Sequence, residues 1–262
     1  MNLSIVIPVY NSESIVSRLI EEIENAIKSY NLEFEVVLIN DCSADDSWEM
    51  IKKLSKKKNF IKEISLKNNY GQHNAISAGL NYTEGKFIVL MDDDLQHDPR
   101  YIVKIFNVLN KGYDSCYVKY IKRKHVFWKR SVSFFNHLIS SFLSSKSLNI
   151  YTSSFKGFNR NICEIIKKDK EFEVFLDWLI VENSKKIETI NVVHRERYTG
   201  RTNYNLNKLF ILWSNMIMKI NPKNNFKKLL IFIIKLCIEN IIYKIVSKKK
   251  YTEKFLISEK TF

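Results

Sequence analysis

The chain opens on a β-rich apolar run, Leu3-Ser4-Ile5-Val6-Ile7-Pro8-Val9, which reads as a buried strand. Pro8 lies near its end, where a strand tolerates a missing N–H. Tyr10-Asn11-Ser12-Glu13 then opens a helix, whose apolar positions Ile15, Val16, Leu19, Ile20, Ile23, Ala26 and Ile27 share one face. The alternation repeats. Residues 34–39 read as strand, 48–54 as helix and 61–66 as strand, and the loop 68–74 feeds a helix through Leu80. Phe87-Ile88-Val89-Leu90-Met91 is a fourth apolar run, followed by Asp92-Asp93-Asp94, with Asp98 placed to cap a new helix and Pro99 at its first position. Four strand–helix alternations predict an α/β fold, a doubly wound and mostly parallel sheet with helices on both faces.

The second half is patterned more sparsely. Residues 113–119, 151–158 and 187–193 read as strands, 127–143 as an amphipathic aromatic-rich segment, 172–181 as a helix carrying Asp177, and 206–220 as an apolar helix. Residues 226–246 are long enough to span a bilayer, but Lys235, Glu239, Asn240 and Lys244 interrupt them. Each charge at a helix centre costs roughly 2.5–3.5 kcal/mol on insertion. The pattern predicts a helix lying in the membrane plane, anchored on anionic lipid by Lys248-Lys249-Lys250. A packed helix or a contact in a homo-oligomer is the alternative.

Composition changes this picture in one respect. The 262 residues carry a net charge of +14, unevenly spread: residues 1–100 hold 11 Lys and Arg against 16 Asp and Glu, and the remainder hold 31 against 12. The basic half suits an anionic membrane surface, a phosphorylated ligand or nucleic acid, and no nucleic-acid motif accompanies it. Cys42, Cys116, Cys163 and Cys237 have no metal-ligand spacing, which points to reduced thiols in a cytosolic setting. No secretory leader is expected, because Met1-Asn2-Leu3 runs directly into a strand.

The chemistry gathers at strand ends. Tyr10-Asn11, Asn40-Asp41, the loop Asn68 to Asn74, and Asp92 to Gln96 all follow strands, and parallel strands bring such ends to one edge, where ligands bind. Neither GxGxxG nor GxxxxGK[ST] occurs, so no glycine cradle holds a phosphate. Three adjacent carboxylates repel one another and call for a counter-charge. A divalent cation with hard-oxygen preference, Mg2+ or Mn2+, holding a phosphate supplies it; a solvated acidic loop is the plainer reading.

The motifs Ser4 to Asn11, Ile39 to Ser47, Asn69-Tyr70-Gly71-Gln72-His73-Asn74-Ala75 and Met91-Asp92-Asp93-Asp94-Leu95-Gln96 resemble, in order, those of family 2 glycosyltransferases with the Rossmann-like GT-A fold. The Asp-x-Asp-Leu-Gln-His form is similar to that of the branch containing dolichyl-phosphate-mannose synthase and bacterial polyprenyl-phosphate glycosyltransferases. The resemblance covers about residues 3–220. It implies a nucleotide-sugar donor held by Pro8, Tyr10, Ser12, Ile39, Asp41, Asn74, Asp92 and Asp93, and a metal held by Asp92, Asp94 and Gln96. Ser12 stands where the family often has Glu.

His194 to Tyr204 resembles the Arg-x-x-Gly-x-Ser-Lys-Tyr motif of the same branch. Arg197 and Gly200 match, Thr202 takes the Ser place, and Asn203 stands where Lys is usual. The resemblance implies Arg130, Arg197 and Asn203 as contacts to a lipid phosphate; for Lys129 and Arg130 a solvated helix face is the alternative. Asp94, Asp177 and Arg197 are the catalytic candidates, Asp177 as a base if the acceptor is a saccharide hydroxyl and otherwise a helix-surface residue. The expected organisation is a GT-A domain over 1–221, with a nucleotide-binding half (1–100) and an acceptor half (101–221), and a basic helical tail over 222–262. The expected place is the cytoplasmic face of a membrane. A non-catalytic nucleotide- or lipid-binding domain is the reading from another class.

Overall fold

A computed structural model describes residues 1–120, 153–168, 176–192 and 257–261. All of these residues belong to one compact unit of the chain. The strands are β1 (Leu3–Val9), β2 (Phe34–Asn40), β3 (Ile61–Leu66), β4 (Phe87–Leu90), β5 (Ser115–Tyr120), β6 (Lys156–Asn159), β7 (Ile187–Val192) and β8 (Ile257–Thr261). The helices are α1 (Val16–Ile27), α2 (Ser47–Lys57), α3 (Gln72–Leu80), α4 (Arg100–Asn110), α5 (Arg160–Lys168) and α6 (Leu176–Asn183).

The strands form one sheet in the order β7-β5-β6-β4-β1-β2-β3-β8. The pairs β1–β2, β1–β4, β2–β3 and β5–β7 are parallel, and β6 and β8 run against their neighbours. The chain steps outward from β1 through β2 to β3, then returns to the other side of β1 for β4. That reversal makes the crevice beyond the ends of β1 and β4 the switch point of the sheet.

Side chains alternate across the sheet and so divide its two faces. Leu3, Ile5, Ile7 and Val9 of β1, with Phe87 and Val89 of β4, join a core that includes α1 and α4 residues such as Leu19, Ile23, Ile102 and Ile105. On the other face Gly79 of α3 lies so close to β1 and β2 that an added Cβ would meet Ile39 at 2.5 Å. Only a glycine lets that helix approach the sheet so nearly.

Pro8 sits in a central strand rather than an edge one. Val6 accepts a hydrogen bond from Met91 N–H on the β4 side, and Val9 accepts one from Asp41 N–H on the β2 side. Pro8 shares the parity of Val6, so its missing donor faces β4, beyond the last paired residue Leu90.

Four expectations need correction. The segment Tyr10–Glu13 does not open the first helix; α1 begins at Val16, because residues 11–13 are bonded to residues 43–47 instead. The strand expected over 151–158 begins at Lys156, with Ser153 to Phe155 as its approach, while Tyr151 and Thr152 lie outside the described residues. The expected helical tail contains a strand: β8 pairs antiparallel with β3 and covers what would be an open sheet edge. The segments 127–143, 206–220 and 226–246 lie outside the described residues. At α4 the helix starts one residue later than expected, at Arg100 with Pro99 in the cap position, and Asp98 Oδ1 accepts the Arg100 N–H at 3.0 Å.

Candidate active site

The switch-point edge is assembled by side chains that stitch loop to loop. After β1, Asn11 turns through a left-handed conformation, φ 53°. Its N–H donates to Ser43 Oγ at 3.0 Å, and its Oδ1 accepts from Ala44 N–H at 2.8 Å. Ser12 N–H donates to Ser47 Oγ at 2.8 Å. Glu13 Oε2 accepts from Asp46 N–H at 2.9 Å, and Asp45 accepts from Glu13 N–H at 3.2 Å. The ends of β1 and β2 therefore form one rim, bonded mostly through short polar side chains that reach backbone groups.

Two of the acidic residues expected to meet the donor act first as latches. Asp41 is buried, and its two oxygens accept from the N–H groups of Tyr70 and Gly71 at 2.8 and 2.9 Å. It fixes the loop that leads into α3. Burial pushes its carboxyl up, and the two N–H groups pull it back. Asp93 Oδ2 accepts from Tyr10 N–H at 3.1 Å and from Ser12 Oγ at 2.5 Å, tying the end of β1 to the acidic loop. Burial pushes Asp93 up to about 6. Asp92 and Asp94 add to the rise, against the Ser12 hydroxyl and the Tyr10 N–H.

Asp92 and Asp94 flank this latch. Asp94 Oδ1 accepts from Gln96 N–H at 3.1 Å, closing a tight turn in which Leu95 takes φ 59°. A bulky residue is strained there, and burial of the Leu95 side chain in the core offsets the cost. Asp92 Oδ1 accepts from the Gln72 side-chain amide of α3. Among the described residues no group of three or more His, Cys, Asp or Glu forms a ready metal cage.

The other expected donor contacts are more retired. Pro8 and Ile39 are partners across β1 and β2 and are buried, so they contribute shape and backbone. Ser12 and Asn74 are buried too, and the Asn74 amide donates to Tyr70 O at 2.9 Å. Tyr10 follows β1 and is 40% exposed. Arg130, Arg197 and Asn203 lie outside the described residues.

One strand over lies a charge pair between a buried lysine and a part-buried aspartate. Lys156 opens β6 opposite Leu90, is 3% exposed, and its Nζ pairs with Asp177 Oδ1 in the first turn of α6. The Lys156 ammonium also lies 5.8 Å from the centre of the buried Tyr117 ring. His73, at the start of α3, is pushed down by burial and by Lys156, while Asp177 and Asp92 pull the other way. Gln72, His97 and Lys156 are the site residues that sequence reasoning passes over. Gln72 stands inside the loop motif and His97 directly follows the acidic one, but Lys156 carries no local signal.

Residues 4–166 match the model of glycosyl transferase family 2. The chain belongs to that family. Undecaprenyl-phosphate 4-deoxy-4-formamido-L-arabinose transferase of Photorhabdus laumondii is 31% identical over 215 residues, 82% of this chain and 66% of that protein. An uncharacterized glycosyltransferase of Bacillus subtilis, YkcC, is 30% identical over 221 residues, 84% of this chain and 68% of its own length. The chain thus spans just under two thirds of the first relative. Glucosyl-3-phosphoglycerate synthase from Mycobacterium tuberculosis, solved with Mn2+, uridine diphosphate and phosphoglyceric acid, shares the fold with a TM-score of 0.59. The identity is 15%, over 85% of this chain and 80% of that one. The mostly parallel sheet with flanking helices is that GT-A architecture.

In this family 2 chain the Asp93 latch has a measurable signature. Its folded-state pKa of about 6 exceeds the ordinary 3.8, so the folded chain binds the proton more tightly than the unfolded one. Stability from this group is therefore greatest at low pH and is lost as pH rises from about 4 to about 6, by about 3 kcal/mol. Asn keeps an acceptor for Tyr10 and Ser12 without the charge. In chelator, the melting temperature of Asp93→Asn minus that of the parent should grow across this window and stay several degrees positive at pH 7.5. A difference that is flat with pH, measured by differential scanning fluorimetry, would refute the assignment.

Proposed function

We propose that the chain is an inverting, metal-dependent glycosyltransferase that moves a sugar from a nucleotide donor to a polyprenyl phosphate at the cytoplasmic face of a membrane. The observation that carries this is the grouping of Asp92, Asp94 and Gln96 on one turn at the switch-point edge, in a chain related to an undecaprenyl-phosphate sugar transferase. These donors fit a hard divalent cation: all three offer oxygen, and two of them are carboxylates set on either side of the buried Asp93 latch. Mg2+ or Mn2+ bound there would neutralise the charge that grows on the departing diphosphate.

The chain's own residues do the rest. Tyr10 and the rim of Asp41 receive the nucleoside, over a floor shaped by Pro8 and Ile39. Ser12 and Asn74 hold the loops that frame it. Asp92, Asp94 and Gln96 face the diphosphate, and Arg130, Arg197 and Asn203 receive the acceptor phosphate, for which Arg is suited by its forked geometry. A phosphate oxygen forms the new bond to the anomeric carbon as the bond to the diphosphate oxygen breaks on the opposite face. An anionic phosphate needs no proton removed, whereas a saccharide hydroxyl needs a base. Asp177 is the candidate base, and its pairing with buried Lys156 favours the phosphate reading.

Asp94→Asn should cut transfer about 10²- to 10³-fold, the scale of losing one group that stabilises developing charge. Chelation should do the same to the parent, and both the variant and the chelated parent should remain folded by circular dichroism. Full transfer by Asp94→Asn in excess chelator would sink the metal assignment.

Arg197→Ala should raise the acceptor KM about 10- to 100-fold, the worth of one charge-assisted hydrogen bond, and leave the donor KM nearly unchanged. Equal effects on both would show the loop to be structural.

The membrane reading is tested by substitution and not by truncation, because the tail contains β8, which pairs with β3. Reversing Lys248, Lys249 and Lys250 to Glu should weaken binding to anionic vesicles about 100-fold or more at low salt, at about 1 kcal/mol per lysine. Unchanged co-sedimentation would count against the tail as the anchor.

A further inference from the structure

We propose that His97 is a positioning residue that fixes the direction of the Asp92 carboxylate; this rests on the reading of Asp92 as a cation and diphosphate ligand. The ring is 4% exposed. It lies nearly parallel to Phe155, at 8° and 4.9 Å between centres, and at 20° and 6.1 Å to Tyr120. Phe155 leads into β6 and Tyr120 ends β5, so the stack is set by strands on the acceptor side of β4. The left-handed turn at Leu95 brings the chain back so that residue 97 reaches residue 92.

The polar edge of the ring meets Asp92 twice. Nδ1 accepts the Asp92 N–H at 3.1 Å. That N–H comes just after the last paired residue of β4, where the ladder no longer offers it an acceptor. A nitrogen that accepts carries no proton, so the neutral ring holds its proton on Nε2. Nε2 lies 3.3 Å from Ser154 Oγ and 3.6 Å from Asp92 Oδ2. From the other side the Gln72 amide donates to Asp92 Oδ1. Asp92 thus has its backbone N–H held by the packed ring and Oδ1 held from α3, while the ring edge lies beside Oδ2. Bonds at both ends of the side chain limit how the carboxylate can turn. Partners of this kind commonly change metal affinity 10- to 100-fold when removed.

The test compares His97→Phe, which keeps the stack and removes both polar contacts, with His97→Asn, whose Oδ1 can take the place of Nδ1 toward the Asp92 N–H. Mn2+ binding is followed by electron paramagnetic resonance in the presence of uridine diphosphate, and uridine diphosphate binding in chelator is followed by calorimetry. Asp94→Asn serves as the control. The expected result is Mn2+ affinity 10- to 100-fold weaker in His97→Phe and partly restored in His97→Asn, with metal-free nucleotide affinity within about twofold of the parent. Parent-like Mn2+ affinity in both His97 variants, while Asp94→Asn loses it, overturns the positioning role alone. Equal loss of Mn2+-dependent and metal-free binding would also overturn it, since that is what a merely structural histidine produces. Parent-like affinity in Asp94→Asn overturns the metal reading and the proposal with it. If His97→Phe melts too low to assay, the His97→Asn comparison decides by itself, a parent-like affinity still overturning the role.

Discussion

The burial of Asp93 between two further carboxylates, Asp92 and Asp94, is the constraint to which the rest of this edge answers. Three consecutive carboxylates end a strand buried in the middle of the sheet, where solvent screens them poorly. The protein divides them by task. Asp93 is turned toward β1 and absorbed by an N–H and a hydroxyl. Asp92 is turned toward α3 and Gln72, and Asp94 is held by its own turn at Gln96 N–H. The separation costs a strained Leu95 and a carboxyl that resists ionisation. The second cost is the one that the proposed cation would relieve. Strain and charge of this kind persist only where the surrounding structure holds them, as the stitched rim of residues 11–13 and 43–47 does here.

The same logic explains why Asp41 and Asp93 act as latches. Parallel strands end in loops whose N–H groups have no ladder partner. A carboxylate that accepts two of them closes a loop and remains able to accept from a ligand with its other lone pairs. The crevice is thereby shaped by the same residues that are proposed to contact the nucleotide.

How much of this is legible in the sequence follows from range. β1 to β4 and their helices are visible because the buried strands are unbroken apolar runs and the helices carry apolar residues at helical spacing. The convergence of Tyr10, Asp41, Asn74 and Asp92 to Gln96 follows from topology alone. The start of α1 does not, because Asn11, Ser12 and Glu13 are drawn out of the helix by partners about thirty residues away. Lys156 stands in Ser153-Ser154-Phe155-Lys156-Gly157 like any surface lysine. Its burial depends on Asp177, twenty-one residues on and on another element. β8, Ile257-Ser258-Glu259-Lys260-Thr261, has little apolar character, and its strand is decided by the edge of β3. Local pattern cannot report a partner that the fold supplies.

Connectivity adds a last constraint on the acceptor side. Tyr120 ends β5, Lys156 begins β6, Val192 ends β7 and Ile257 begins β8. Their register partners place all four at the edge that carries Asp92: Lys156 lies opposite Leu90 and Tyr117, Val192 opposite Tyr120, and Ile257 opposite Leu66. The strands on either side of 121–152 and of 193–256 therefore end and begin at that edge. These two stretches contain the residues proposed to meet the acceptor phosphate and the basic tail proposed to meet the membrane. Arg197 is five residues past Val192, a reach of at most about 18 Å. Three strand spacings separate β7 from β4, about 14 Å. Chain length therefore permits an arginine from that loop at the crevice beside Asp92. The long connection between β7 and β8 is likewise tied to both edges of the sheet at its carboxylate end. An ion pair between buried Lys156 and part-buried Asp177 is costly to keep, and apolar packing of the same volume would often serve stability as well. Its place, next to this edge and between the acidic loop and β7, points to the site and not to stability as the reason the fold keeps it.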